Sequence, residues 1–221
     1  MAASAGCTTG CLRRWGRVSA EALPRDAPAP PGPLPLFPLR TVLFPGGLLP
    51  LRIFEPRYLD MIGECMRSAS TFGVILIRAG GETGPLSALA EIGTSAQVVD
   101  FEQREDGLLG ILCRGERRFR LRSRELQADG LHVGQVEWLP VAASSPVTAA
   151  DEPLVAVLRK VLVKMGETGR FLEPRFEDAD WVSNRIAELL PLAPEHQQQL
   201  LEIDDAAARI ARLAPLVEVD S

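Results

Sequence analysis

At 221 residues and 46% hydrophobic, the chain is long enough to bury a core and too apolar to stay unfolded. It has 24 Lys and Arg against 29 Asp and Glu, a formal charge of −5, which argues against a general nucleic-acid binder, whose affinity comes from neutralising phosphates. Four cysteines, at 7, 11, 65 and 113, are too few for a disulfide scaffold, and no run of eighteen apolar residues offers a membrane span, so a reducing cytoplasm is the expected setting.

Residues 1–33 are rich in Ala, Gly, Pro and Arg and end in Ala27-Pro28-Ala29-Pro30-Pro31-Gly32-Pro33, a composition that cannot bury enough surface to offset ordering, so a disordered tail is expected. From 34 to 140 the dominant apolar period is two. Strands are expected at Leu48 to Phe54, Phe72 to Ile77, Ile92 to Phe101, Leu108 to Cys113, Arg118 to Leu126 and Leu131 to Trp138. Between them the pattern predicts a long loop over 80–85, turns at Glu105-Asp106-Gly107 and Asp129-Gly130, and a corner at Arg114-Gly115. One helix interrupts the pattern: Pro56 opens it, and Tyr58, Leu59, Ile62, Cys65 and Met66 form its stripe.

Strands at this spacing with glycine turns suggest a small closed or half-closed barrel; residues 141–150 then form a linker of Ala, Ser, Thr and Pro, after which the period becomes 3.6 and residues 151–221 read as a helical subdomain packed on that barrel. Asp151 and Pro153 start a helix striped by Leu154, Leu158, Val161, Leu162 and Met165. Others fit Asp180 to Leu190, a segment opened by Pro194 through Leu201, and one that Asp204 can cap, striped by Ile210, Leu213 and Val217.

The most informative stretch runs Leu36-Phe37-Pro38-Leu39-Arg40-Thr41-Val42-Leu43-Phe44-Pro45-Gly46-Gly47 and on through Leu51-Arg52-Ile53-Phe54-Glu55-Pro56-Arg57-Tyr58-Leu59. It closely resembles the opening of the Lon substrate-binding domain, the N-terminal part of ATP-dependent Lon proteases that also occurs as a free-standing bacterial protein and, in divergent form, in cereblon. Leu112-Cys113-Arg114-Gly115-Glu116-Arg117-Arg118-Phe119-Arg120-Leu121 is similar to that family's second signature, and Ala187-Glu188-Leu189-Leu190-Pro191-Leu192 with Gln199-Leu200-Leu201-Glu202 resembles its helical half. The resemblance spans about residues 34–218. It implies an α+β protein: a PUA-like β pseudo-barrel over 34–140 with one inserted helix, followed by a C-terminal helical bundle.

The machinery of a protease is not in the sequence. No glycine-rich loop ends in Gly-Lys-Ser/Thr, neither Lys160 nor Lys164 follows a glycine, and no Ser-Lys pair is recognisable. His132 and His196 stand too far from other ligands to form a metal site, and Cys7-x3-Cys11 has no second pair. No catalytic residue, metal or cofactor is expected.

Three groups remain as binding candidates. Phe37, Phe44, Leu48, Leu49 and Phe54 are more hydrophobes than one face of so proline-broken a segment can bury, and its unpaired backbone groups suit an extended peptide. Glu55, Arg57 and Tyr58 read either as a recognition surface or as local structure, with Glu55 bonding first-turn N–H groups, Arg57 pairing nearby and Tyr58 packing. Arg118, Arg120, Arg122 and Arg124 alternate with Phe119, Leu121 and Ser123, so four guanidiniums on one strand face can grip a polyanion, or be neutralised by Glu91, Glu102 and Glu116 across neighbouring strands. The leading expectation is a non-catalytic domain that binds exposed apolar or unfolded polypeptide, with a protease or chaperone acting in trans as partner and no membrane. The alternative is RNA bound by the arginine face, against which stand the acidity and an aromatic content of 5% for base stacking.

Overall fold

The computed structural model describes residues 32–80, 86–103, 108–141, 145–165 and 171–217, with the backbone of Gly16 and Arg17. Its strands are β1 (Gly16–Arg17), β2 (Leu34–Leu39), β3 (Leu48–Ile53), β4 (Phe72–Gly80), β5 (Leu86–Leu89), β6 (Ile92–Gln103), β7 (Leu109–Leu126) and β8 (His132–Trp138). The helices are α1 (Pro56–Ser68) between β3 and β4, then α2 (Glu152–Lys164), α3 (Ala179–Leu189), α4 (Pro194–Leu201) and α5 (Ala206–Leu213). Apart from β1, residues 1–31 of the tail expected over 1–33 lie outside the described residues, as do the turn at 105–107 and residues 81–85 of the expected loop.

Five strands close on themselves. β6 pairs with β4, β4 with β2, β2 with β8, β8 with β7 and β7 again with β6. Only the β2–β4 pair is parallel, because β3 and α1 intervene as a crossover between them. Closure removes edges from these five strands over their paired lengths and leaves β3 hanging on β7, β5 on β4 and β1 on β6.

Phe119 fills the ring. A Cβ on Gly73 of β4 would stand 2.8 Å from its Cζ and 2.8 Å from Leu34 Cδ2, and one on Gly93 of β6 would stand 2.6 Å from the same ring. Side chains of β2 and β7 therefore meet across the circuit where glycines leave room. The opposite face of β2, carrying Phe37 and Leu39, joins Tyr58, Met61, Ile62 and Cys65 of α1 in a second cluster with Phe72, Val98 and Ile111. On α1 the buried stripe includes Met61, whereas Leu59 of the expected stripe is exposed and Met66 half-buried.

The corner expected at Arg114-Gly115 does not exist, since β7 runs unbroken for 18 residues. Gly115 serves a close crossing instead. Its N–H donates to the Gly47 carbonyl (2.9 Å), its carbonyl accepts from Gly46 (2.7 Å), and a Cβ there would lie 2.2 Å from the Phe44 carbonyl oxygen.

The second half of the expected linker is also built in, because Val147 donates to the Glu177 carbonyl (3.0 Å) and Ala179 to that of Ser145 (2.8 Å). The helices share one apolar cluster with the ring: Leu36, Phe44 and Phe119 stand with Leu154, Leu158, Trp181, Val182, Ile186, Leu201 and Leu213. Asp205, not Asp204, caps α5 by accepting the Ala208 N–H at 2.7 Å. Asp204 is engaged elsewhere.

Candidate polypeptide-binding surface

Pro50 has no N–H to give to β7, so in this antiparallel pair it occupies a position whose backbone groups point away from the ladder. Alternation then turns Leu48 and Arg52 the same way. The Leu48 N–H is taken by Glu188 Oε1 of α3 at 3.1 Å. What β3 offers on its outer edge, among the described residues, is the stretch from Pro50 to Arg52, followed by Phe54, which is 60% exposed.

The other apolar candidates divide. Phe44 is 0% exposed and Phe37 is buried, stacked on Tyr58 with centroids 4.0 Å apart, so both are core residues whose side chains present no surface. Leu48 and Leu49 are half-buried; Leu49, with Leu51, Leu109, Phe101 and Met66, lies over the α1 cluster. A half-covered apolar set thus borders the open edge of β3.

Glu55 makes no side-chain bond to the first turn of α1. It pairs with Arg57 at 2.6 Å, while Arg57 Nη1 donates to the Gly130 carbonyl at 2.7 Å and its guanidinium lies 4.7 Å from the centroid of the buried Tyr58 ring. This trio staples the start of α1 to the β7–β8 turn. Next to it His132 is held below its usual pKa by burial, then by the Arg124 and Arg57 charges.

The four arginines of β7 do not share a face. The pairing with β8 slips between Leu121 and Ser123, so Arg122 is an extra residue and the alternation reverses after it. Arg124 pairs in register with Gly134, on the side of Phe119 and Leu121, opposite to Arg120. Arg118 is buried and reaches the helices, donating to the Leu201 carbonyl (2.8 Å) and pairing with Asp204 (2.6 Å). Arg120 pairs with Glu91 at 3.4 Å and Arg122 with Glu137. Of the carboxylates expected opposite, Glu91 is so placed, Glu102 stands in register with Gly110, and Glu116 pairs with Arg114 (3.1 Å). Asp204 and Glu137 could not be picked out beforehand, because one approaches from the connection between α4 and α5, 86 residues away, and the other through the shifted register.

A pocket of about 480 Å³ lies where β5 and β6 meet the end of α4. Leu89 and Ile92 line it with two ion pairs, Arg78–Glu202 (3.2 Å) and Arg120–Glu91 (3.4 Å). Its charges are already matched, and it lies apart from the residues singled out for peptide. Among the described residues no group of three or more His, Cys, Asp or Glu is placed to hold a metal ion, and no helix is long and apolar enough to cross a membrane. Cys65 and Cys113 are free and buried, and burial raises both thiol pKa values; Cys7 and Cys11 lie outside the described residues.

Residues 33–219 match the family model of the ATP-dependent protease La (LON) substrate-binding domain. A Lon protease of Paraburkholderia phytofirmans is 31% identical over 209 residues, covering 89% of this chain and 25% of that protein. Protein cereblon of Danio rerio is 34% identical over 114 residues, 48% of this chain and 25% of that protein. The crystal structure of a Lon N-terminal domain protein from Xanthomonas campestris superposes with a TM-score of 0.68 at 35% identity, covering 85% of this chain and 99% of that one. The N-terminal domain of a Mycobacterium avium complex Lon protease shares the fold, with a TM-score of 0.54 at 16% identity over 83% of this chain and 97% of that one. The chain spans about a quarter of the length of the curated Lon relatives it matches, and it belongs to the Lon substrate-binding domain family.

Proposed function

We propose that this chain is a non-catalytic polypeptide-binding module that takes exposed apolar or unfolded segments along the outer edge of β3, working in the cytoplasm with a protease or chaperone in trans. The observation that carries the reading is an edge strand open from Pro50 to Arg52, ending in exposed Phe54 and bordered by the half-buried Leu49 and Leu51. An added strand would gain main-chain bonds there, and alternate side chains would meet the apolar set. Family membership supports a substrate-binding role. RNA is the weaker reading, because Arg118, Arg120 and Arg122 are each paired with a carboxylate.

The test is fluorescence anisotropy with labelled, unfolded casein. Phe54→Asp should weaken binding by about tenfold or more, as for an aromatic anchor, while leaving the melting temperature unchanged. Arg120→Glu with Arg122→Glu should leave binding intact, and affinity should barely change between 50 and 200 mM salt, a range over which phosphate-driven binding falls by about a thousandfold or more. Casein binding that ignores Phe54→Asp, or steeply salt-dependent RNA binding lost in the double arginine variant, would overturn the reading.

A further inference from the structure

The pocket between the ring and α4 gathers charged side chains from four separate places in the chain. Arg78 comes from β4, Glu91 from the link between β5 and β6, Arg120 from β7 and Glu202 from the C-terminal end of α4. Leu89 and Ile92 supply its apolar wall, and Ile92 stands directly across the ladder from Arg120. Both ion pairs are loose. Arg78 Nη2 meets Glu202 Oε1 at 3.2 Å and Arg120 Nη1 meets Glu91 Oε2 at 3.4 Å, whereas close charge-assisted contacts run at about 2.7–2.9 Å. Each pair joins through a single nitrogen and a single oxygen, so the guanidiniums have donors to spare and each carboxylate has a second oxygen. Exposed pairs of this kind are weak and open readily. Glu202 is nevertheless held in place: Gln198, 2% exposed, donates to its Oε1 at 2.8 Å and to the Ile92 carbonyl at 2.9 Å. A buried amide thus ties a carboxylate at the helix end to the wall of the pocket.

The mixture of signs selects the ligand. A simple anion drawn to Arg78 and Arg120 would meet Glu91 and Glu202, and a simple cation would meet the reverse. A molecule carrying one charge of each sign satisfies all four, and an apolar body between its charges would cover Leu89 and Ile92. The volume of about 480 Å³ falls in the range of small-molecule sites. We propose that this pocket binds short peptides with free ends and apolar side chains, the carboxylate on Arg78 and Arg120 and the ammonium on Glu91 and Glu202. The site shares no residue with the open edge of β3 and does not rest on the reading given for that edge.

The test is isothermal titration of the full-length protein with leucyl-leucine and with two blocked forms, N-acetyl-leucyl-leucine and leucyl-leucine amide. The free dipeptide should bind saturably at millimolar or lower concentration. Each blocked form should bind at least about tenfold more weakly, because each lacks one charge-assisted contact. Glu91→Gln with Glu202→Gln should bind the free and acetylated dipeptides alike, and Arg78→Gln with Arg120→Gln should bind the free dipeptide and its amide alike. Melting temperatures show whether each double variant is folded, and the blocked forms decide the point in the parent if one is not. No saturable binding of leucyl-leucine, blocked forms bound as tightly as the free dipeptide, or a folded double variant that keeps the parent's discrimination would each overturn the site.

Discussion

Glu188 Oε1 accepts the backbone N–H of Leu48 at 3.1 Å across 140 residues of sequence. The same carboxylate pairs with the buried Arg185 guanidinium at 2.6 Å, and Arg185 also donates to the Pro45 carbonyl at 2.9 Å. Helix α3 thereby clamps the proline–glycine corner and fixes where the open stretch of β3 starts.

Burial raises the Glu188 pKa more than Arg185 and the Leu48 N–H lower it. The folded state therefore binds this proton more tightly than the unfolded state. Its contribution to stability is present below the ordinary carboxyl pKa of about 4.3 and is lost as pH rises through the higher folded value. Glu188→Gln, which mimics the protonated form and still accepts from Leu48, should be at least as stable as the parent at pH 7, with the two converging as pH falls. Urea titrations at pH 4, 5, 6 and 7 measure this; a loss of about 3 kcal/mol or more at pH 7 would show that the Arg185 pair outweighs desolvation.

The glycines should separate by what crowds them. Gly73→Ala pushes only on side-chain atoms of Leu34, Leu36 and Phe119, whereas Gly115→Ala meets the Phe44 carbonyl at 2.2 Å. Overpacking at Gly73 should cost about 1–3 kcal/mol, with part recovered by adding Phe119→Leu. Gly115→Ala should cost more and recover nothing with that second change. Thermal melts of the singles and doubles provide the comparison.

Arg118 and Arg122 should differ although both stand on β7. Arg118→Ala leaves the buried Leu201 carbonyl without its donor, while the exposed Asp204 regains water, and should cost about 1–3 kcal/mol. Arg122→Ala breaks an exposed pair with Glu137 and should cost at most about 1 kcal/mol. Equal effects in chemical denaturation would contradict the register shift that separates them.

Leu158, 1% exposed, lies in the cluster joining helices to ring. Leu158→Ala should cost about 2–5 kcal/mol and should lower one cooperative transition followed by both far-ultraviolet circular dichroism and tryptophan fluorescence. Two separated transitions would mean that ring and helices unfold independently.

Local chemistry made much of this fold readable. The prolines at 56 and 194 mark helix starts because a missing N–H is harmless in a first turn, and the period-two run toward Trp138 follows from Gly134, Val136 and Trp138 being covered while Gln135 and Glu137 face water. Bulges were illegible. One extra residue at Arg122 reverses the alternation, and nothing in Arg118-Phe119-Arg120-Leu121-Arg122 distinguishes a shifted strand from a regular one. Phe44, a binding candidate in the sequence, is core because Gly115, 71 residues later, lets two backbones cross. The open edge of β3 was visible only as an excess of prolines, since which neighbour a strand lacks is a property of the whole ring.

The ring and helices share a cluster that holds Leu36 and Leu213 together, and this sets an order of events during synthesis. At about 5–20 residues per second, roughly ten seconds or more separate emergence of the first strand from that of its last partner. Through that interval Leu34, Leu36 and Phe44 lack the surfaces that cover them in the finished protein, and the parallel β2–β4 pairing is a slow, non-local contact. A chain of this family is therefore, while being made, an exposed apolar segment awaiting cover.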